Sequence, residues 1–178
     1  MTLWSHLCRL TGMTRIARGS ELFNPETYGQ WPRDRVREVD IVVGCLFLMR
    51  RADWDALGGF DPAFTMYGEE ADLCLRAKAR GMRPLFTPEA EIIHYGGASE
   101  TVQADKMVRI MRAKTELIKR HAPAATRALE RRLFALWPKS RQMASAALAR
   151  MGRGAHHADA ARVWAEIWAR RAEWRDGF

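Results

Sequence analysis

The sequence predicts an α/β part over residues 1–100, followed by an all-helical, basic region over residues 101–178. One strongly apolar segment, Val39–Met49, has the length and the β-branched start of a buried strand. After Thr101, apolar residues recur every three to four positions, as they do on one face of a helix. The net charge changes at the same place, from −2 over residues 1–100 to +10 over residues 101–178. These two parts are the predicted domains.

The overall composition excludes several protein classes. The chain has 178 residues, of which 48% are hydrophobic and 28% are charged, and these values exclude wholesale disorder. No apolar run is long enough for an ordinary transmembrane helix, and the first residues lack the pattern of a signal peptide. The three cysteines form no CxxC motif, which favours a reducing, cytoplasmic location.

Glycine and proline separate the predicted elements of the first hundred residues. Gly44 interrupts the apolar segment, and a glycine within a strand often marks a bulge or the close approach of a ligand. Gly58 and Gly81 each follow a predicted helix, because glycine adopts the left-handed conformation that ends helices. The predicted elements are helices at Trp4–Leu10, Ala52–Leu57 and Glu69–Arg80, and strands at Val39–Met49, Arg83–Thr87 and Glu91–His94.

Four helices are predicted in the basic region, with Pro138 ending the second because proline cannot donate a backbone hydrogen bond. Their apolar faces have two interpretations. They pack against one another or the rest of the protein, or their tryptophans and flanking basic residues dock on a membrane surface. A basic surface also suits nucleic acid, but no zinc-finger spacing or aromatic RNA-binding motif accompanies it, so no nucleic-acid partner is predicted.

The densest acidic cluster, Glu69-Glu70-Ala71-Asp72, opens a predicted helix. One interpretation is structural, because the helix dipole and the free N–H groups of a first turn stabilise negative side chains. The other is catalytic, because a general base needs a fixed carboxylate near a pocket. Asp72 and Arg76 are four residues apart, and a surface pair at this spacing contributes only about 0.3–0.5 kcal/mol.

Other metal-binding and nucleophilic residue types give weaker signals. Asp53 and Asp55 flank Trp54 in a predicted helix, where they point to different sides and do not suit one metal ion. His94 ends a predicted strand before a glycine pair, where a neutral imidazole is able to bind a metal, although a plain strand-end histidine is the commoner case. Cys45 and Cys74 are predicted to be buried apolar groups.

Three features follow one another within residues 39–99: the turn Gly58-Gly59-Phe60-Asp61, the acidic motif Glu69-Glu70-Ala71-Asp72-Leu73, and His94 before a glycine pair. In this order and spacing the segment resembles the C-terminal half of family-2 glycosyltransferases with the GT-A fold, especially rhamnosyltransferase-like members. The resemblance covers about a third of the chain. It implies the C-terminal part of a GT-A (nucleotide-diphospho-sugar transferase) domain, followed by the all-helical basic region.

The resemblance also implies an activity, namely the inverting transfer of a sugar from a nucleotide-sugar to a polysaccharide or lipid-linked acceptor. Rhamnose is the sugar it suggests, and the cytoplasmic face of a membrane, with peripheral contact, is the location. Glu70 falls on the family's catalytic base, where aspartate is usual. The other implied roles are acceptor contacts for Asp61, Glu69 and Asp72, room for the donor sugar at Gly44, and a metal or diphosphate contact for His94.

The family's nucleotide-binding half has no counterpart in this sequence. In the family that half ends in an Asp-x-Asp motif, which holds most of the divalent metal, Mg²⁺ or Mn²⁺. The chain is therefore expected to be incomplete and inactive as a transferase by itself. Two alternatives stay open: a non-catalytic basic helical module that binds an anionic membrane or a protein partner, and a subunit completed by a separate nucleotide-binding polypeptide.

Overall fold

The computed structural model describes residues 1–95 and 103–178, with the side chain of residue 103 excepted. The chain divides into two compact units. We call Met1–Trp31 with Val102–Phe178 the helical unit, and Pro32–Thr101 the middle unit. The predicted domains assign residues 1–31 to the α/β part, whereas in the structure these residues pack with the C-terminal helices.

Helices dominate, and the sheet among the described residues consists of two short antiparallel strands. Arg37 pairs with Phe86 and Glu38 with Leu85. The elements in chain order are α1 (Leu3–Thr11), α2 (Met13–Ile16), a 3-10 helix (Pro25–Gln30), β1 (Arg37–Glu38), α3 (Arg51–Leu57), α4 (Glu69–Ala79), β2 (Leu85–Phe86), α5 (Gln103–His121), α6 (Ala124–Arg150), α7 (Ala155–Ala169) and a second 3-10 helix (Arg171–Glu173).

Helix α1 explains why the N-terminal residues belong to the helical unit. It begins at a capping box, in which Thr2 Oγ1 accepts a hydrogen bond from the Ser5 N–H and Ser5 Oγ accepts one from the Thr2 N–H. Its buried face, which includes His6 and Cys8, packs on α6. The His6 ring meets the Phe134 ring edge-on, with 5.7 Å between ring centroids.

The core of the helical unit is formed by the apolar faces of α5, α6 and α7. Trp174 is fully buried, and its indole N–H donates a hydrogen bond to the Ile167 carbonyl oxygen at 3.0 Å. Trp137 and Trp164 pack against the same core, as the packing interpretation of these faces predicts. The buried members are Ala104, Val108, Met111, Ile118, Ala122, Phe134, Ile167 and Trp174.

Pro138 does not end a helix, so the prediction of two separate helices here is wrong. Helix α6 is continuous through Pro138, which is buried. Proline removes one backbone donor from the helix interior, but α6 packs on both α1 and α7, and burial of its apolar face compensates for the lost hydrogen bond. The Ser140 hydroxyl adds a hydrogen bond to the Trp137 carbonyl oxygen at 2.8 Å.

The predicted strand at Val39–Met49 is also wrong, because the segment contains a turn and no strand, although the Val39 N–H donates a hydrogen bond to the Pro84 carbonyl oxygen at 3.0 Å. A strand needs the backbone of a neighbouring strand. β1 ends at Glu38, just before this segment, and β2 consists of Leu85 and Phe86, within the predicted strand Arg83–Thr87. The third predicted strand, Glu91–His94, is likewise absent from the structure. Apolar side chains of the segment therefore lie exposed, Leu48 most of all at 97%.

The core of the middle unit is small and lies between α3 and α4. Leu57, Leu73 and Ala77 are buried there. Phe47 and Met49, from the segment predicted as a strand, pack against them. This contact fixes the end of that segment beside α4 without the help of a sheet.

A buried histidine–glutamate pair predicts that the stability of the helical unit depends on pH. His6 Nε2 lies 3.5 Å from Glu130 Oε2, and both side chains are almost fully buried. Burial lowers the pKa of His6 from 6.5 to about 4, although the charges of Glu26 and Glu130 oppose this shift. Because the unfolded chain binds this proton more tightly, we expect the free energy of unfolding to fall by up to about 3 kcal/mol as the pH drops from 6.5 to 4.

Urea unfolding followed by tryptophan fluorescence, between about pH 7.5 and about pH 5, measures this effect. The His6→Gln variant lacks the titrating group, so its stability is expected to vary less over this interval. His156→Gln, which removes an exposed histidine outside the buried pair, serves as the control, and it is expected to keep the loss of stability below pH 6.5. The same pH dependence in all three proteins would contradict the prediction.

Candidate active site

The acidic motif occupies the first turn of α4, as predicted. Gly68 precedes the helix with a φ of 92°, and Glu69, Glu70 and Asp72 follow in the first turn. The free N–H groups and the dipole of this helix end stabilise the three negative side chains. The structural interpretation therefore accounts for their charge, and the three carboxylates differ in their contacts.

Glu70 lies against Gly44, so the structure brings together two of the predicted site residues. A β-carbon added to Gly44 would lie 3.6 Å from Glu70 Cβ and 3.7 Å from Glu70 Cδ. Glu70 Oε2 is buried and has no hydrogen-bond partner among the described residues. Buried carboxylate oxygens are usually hydrogen-bonded, so this oxygen is available to accept a proton or a donor from a ligand.

Cys74 holds the Gly44 segment against α4, a role that the sequence interpretation missed. Its Sγ accepts a hydrogen bond from the Val42 N–H at 3.4 Å. Burial raises the pKa of the Cys74 thiol, and the charge of Glu70 acts in the same direction. Cys74 is four residues after Glu70 and therefore lies on the same helix face, which is the signal that could have identified it.

Asp72 and Arg76 form the predicted pair, but not on the surface. Asp72 is almost fully buried, and the Arg76 Nε lies 2.7 Å from its Oδ2. Arg76 also donates hydrogen bonds to the carbonyl oxygens of Leu57 at 2.6 Å and Gly59 at 2.8 Å. The pair thus fixes the turn after α3 to α4, and the acceptor contact of Asp72 stays a prediction.

The remaining predicted site residues lie in different surroundings. Glu69 Oε2 is buried without a hydrogen-bond partner in the described part of the chain, as Glu70 Oε2 is. Asp61 Oδ1 accepts a hydrogen bond from the Ala63 N–H at 2.8 Å in the turn after α3. His94 is exposed, and the glycine pair that follows it lies outside the described residues. Their roles stay predictions.

No group of three histidine, cysteine, aspartate or glutamate side chains that could hold a metal occurs within residues 1–95 and 103–178. The described residues therefore do not fit a complete metal site. Asp53 and Asp55 pair separately with Arg50 at 2.6 Å and Arg51 at 2.9 Å. Cys45 is exposed, contrary to the prediction that it is buried.

Substitution of two glycines near the site is expected to change the free energy of unfolding by different amounts. Gly59 has a φ of 68°, and an added β-carbon would lie 2.9 Å from the Trp54 ring. We expect Gly59→Ala to lower the free energy of unfolding by about 1–3 kcal/mol. An alanine at position 44 would make only ordinary van der Waals contacts with Glu70. Gly44→Ala is therefore expected to change the free energy of unfolding by less than about 0.5 kcal/mol. Urea unfolding compares the two variants, and equal effects would contradict this prediction.

Residues 26–132 match the model of a family described as glycosyltransferase like family 2. The chain belongs to this family. The membership confirms the predicted resemblance and supports a GT-A fold for the matched part. The matched residues extend past the middle unit into the start of α6, so the family domain and the two units have different limits.

Several curated relatives of this family-2 chain are named for sugar transfer or polysaccharide synthesis. Rhamnosyltransferase WbbL of Escherichia coli is 40% identical over 57 residues, which are 32% of this chain and 22% of that protein. An N-acetylglucosaminyl-diphospho-decaprenol L-rhamnosyltransferase of Mycobacterium tuberculosis is 36% identical over 59 residues, 33% of this chain and 19% of that protein. The O-antigen biosynthesis protein RfbC of Myxococcus xanthus is 31% identical over 80 residues, 45% of this chain and 6% of that protein.

The chain spans less than a quarter of the length of each of these three relatives. No solved structure gives a significant match to it. Within the described residues, no helix combines the length and the apolar character needed to cross a membrane.

Proposed function

We propose that the chain forms part of an inverting glycosyltransferase that moves a sugar from a nucleotide-sugar to a saccharide or lipid-linked acceptor. Family membership supports glycosyl transfer in general. The names of the Escherichia coli and Mycobacterium tuberculosis relatives favour rhamnose as the sugar, and the Mycobacterium tuberculosis name favours a lipid-linked diphosphate acceptor. The observation that carries the proposal is the buried, unpartnered Oε2 of Glu70 beneath Gly44.

In the proposed reaction, Glu70 Oε2 accepts the proton of an acceptor hydroxyl group. The hydroxyl oxygen forms a bond to the anomeric carbon of the donor sugar, and the bond from that carbon to the nucleoside diphosphate breaks with its electron pair. Attack from the face opposite the leaving group inverts the anomeric carbon. A side chain at Gly44 would contact Glu70, and its absence lets a donor sugar approach this carboxylate more closely.

The other acidic residues have supporting roles in this proposal. Glu69 and Asp61 contact the acceptor, and Asp72 acts through Arg76 by holding the turn that carries Asp61. Cys74 is a positioning residue, because it joins the segment that contains Gly44 to the helix that contains Glu70. This arrangement assigns direct contact with the reacting atoms to Glu70 alone.

A divalent cation, Mg²⁺ or Mn²⁺, and its contact with His94 form a separate proposal. When bound, such a cation offsets charge on the leaving diphosphate. The described residues supply no complete ligand set, so no step of the reaction above depends on it. Loss of transfer on chelation, with recovery on addition of Mg²⁺ or Mn²⁺, tests this proposal.

The transfer of labelled sugar from a nucleotide-sugar to a lipid-linked saccharide tests the proposed function. The longest natural polypeptide that contains this sequence is assayed beside the chain alone, with nucleoside diphosphate release as a second readout. We expect transfer by the polypeptide and none by the chain alone. A polypeptide that releases no nucleoside diphosphate from any hexose or deoxyhexose donor would contradict the proposal.

We also propose that the polypeptide acts at the cytoplasmic face of a membrane. Separation of the membrane and soluble fractions of the cells that produce it tests this location.

A further inference from the structure

The helical unit contains a cavity that the proposed transfer reaction does not use. Its volume is about 180 Å³, and it lies among α1, α2, the first 3-10 helix, α6 and α7. The cavity therefore suits a small group such as a phosphate or diphosphate, with the rest of a larger ligand outside.

Glu26 is the carboxylate of the cavity wall, and two cations already compensate its charge. Arg9 forms an ion pair with it, and the Lys114 Nζ lies 3.8 Å from Glu26 Oε2. Burial alone raises the pKa of Glu26, but the charges of Arg9 and Lys114 lower it to about 2. Arg9 and Lys114 thus compensate the charge of Glu26 through Oε2, whereas Oε1 is buried and has no hydrogen-bond partner among the described residues.

Arg15 and Arg141 also line this cavity, and neither side chain has a hydrogen bond or ion pair with any described residue. Burial, together with the charge of Arg15, lowers the pKa of the half-buried Arg141 guanidinium. Two cations facing one partly buried space repel each other, and water screens this repulsion poorly there. An anion bound between them removes the repulsion.

We propose that this cavity binds a phosphoryl group, as a phosphate monoester or a diphosphate, between Arg15 and Arg141. The planar guanidinium group donates paired hydrogen bonds that match the spacing of phosphate oxygens. Thr14 and Thr27 line the same wall, where the Thr27 hydroxyl donates a long hydrogen bond, 3.5 Å, to the Asn24 carbonyl oxygen. The site does not depend on the proposed transferase activity.

Two tryptophans complete the wall and indicate where the rest of the ligand lies. The rings of Trp137 and Trp164 meet edge-on, with 5.1 Å between ring centroids, and the Arg9 guanidinium lies 5.0 Å from the centroid of the Trp137 ring. Their packing in the core of the helical unit makes them a rigid apolar surface. This surface suits a ring or chain that carries the phosphoryl group.

Calorimetric titration of the chain with inorganic pyrophosphate tests the site. We expect saturable binding that Arg141→Gln and Arg15→Gln each weaken about tenfold or more, because each removes a charge-assisted pair of hydrogen bonds. Arg132→Gln is the matched control, because Arg132 is exposed on the same helix as Arg141 and does not line the cavity. Arg15 is exposed, so its variant reports on binding even if Arg141→Gln unfolds.

Vesicles that contain phosphatidic acid distinguish the source of the phosphoryl group. If Arg141→Gln weakens binding of both pyrophosphate and these vesicles, a lipid headgroup enters the cavity. If it weakens only pyrophosphate binding, the ligand is a free phosphate compound, and either result supports the site. The absence of saturable pyrophosphate binding, or an equal loss in Arg132→Gln, would overturn the proposal and leave a diffuse basic surface.

Discussion

Arg76→Ala is expected to lower the free energy of unfolding of the middle unit by about 3–5 kcal/mol. Asp72 is almost fully buried, and the Arg76 guanidinium is the cation paired with it. Truncation of Arg76 takes this cation away from a buried carboxylate, a change that costs far more than the loss of a surface pair. The same truncation leaves the carbonyl oxygens of Leu57 and Gly59 without their arginine donor.

Urea unfolding of the variants measures this effect, and Lys78→Ala provides the control on the same helix. Lys78 forms an ion pair with the exposed Asp40, so its truncation is expected to cost less than about 1 kcal/mol. Arg76→Lys keeps the charge but loses the planar fork, and an intermediate loss is expected. An Arg76→Ala variant no less stable than Lys78→Ala would show that the buried pair does not hold the turn to α4.

This result bears directly on how Asp72 is interpreted. The predicted surface pair and the observed buried pair join the same two residues, four apart on one helix. Spacing along a helix determines which side chains meet, but burial depends on the elements that cover them. A loss of activity in an Asp72 variant is therefore evidence for an acceptor contact only if the middle unit stays folded.

Local signals are sufficient where the neighbouring sequence determines the structure. The positions of α3 and α4 follow from a glycine after each helix and from an acidic first turn in α4, and both helices are close to their predicted limits. Val39–Met49 depends on a partner strand, and Pro138 depends on burial of the helix around it. In both places tertiary contacts outweigh the local pattern.

The candidate site shows the same division. Motif and spacing single out Glu70 and Gly44, and the structure places these two residues in contact. The roles of Cys74 and Arg76 depend on hydrogen bonds to backbone groups at Val42, Leu57 and Gly59, between 17 and 32 residues away in sequence. No helical periodicity indicates such distant partners.

Glu70→Gln is expected to reduce sugar transfer by at least about a hundredfold in the longest natural polypeptide that transfers sugar. The amide has nearly the shape of the carboxylate but cannot accept the proton of the acceptor hydroxyl as a base. The fold is expected to persist, because Glu70 Oε2 makes no hydrogen bond within the described residues that the substitution could break. The catalytic constant is therefore expected to fall while the unfolding midpoint stays close to that of the unmodified protein.

Glu69→Gln is the matched control for this prediction. Glu69 precedes Glu70 in the same helical turn and also has a buried Oε2 without a partner in the described structure. The two substitutions make the same chemical change, but only Glu70 lies against Gly44. We expect the catalytic constant to fall much less in Glu69→Gln, and Glu70→Asp, which has the family's usual residue, to retain most of the activity. Normal transfer by Glu70→Gln, in a polypeptide whose unmodified form transfers sugar, would exclude Glu70 as the base.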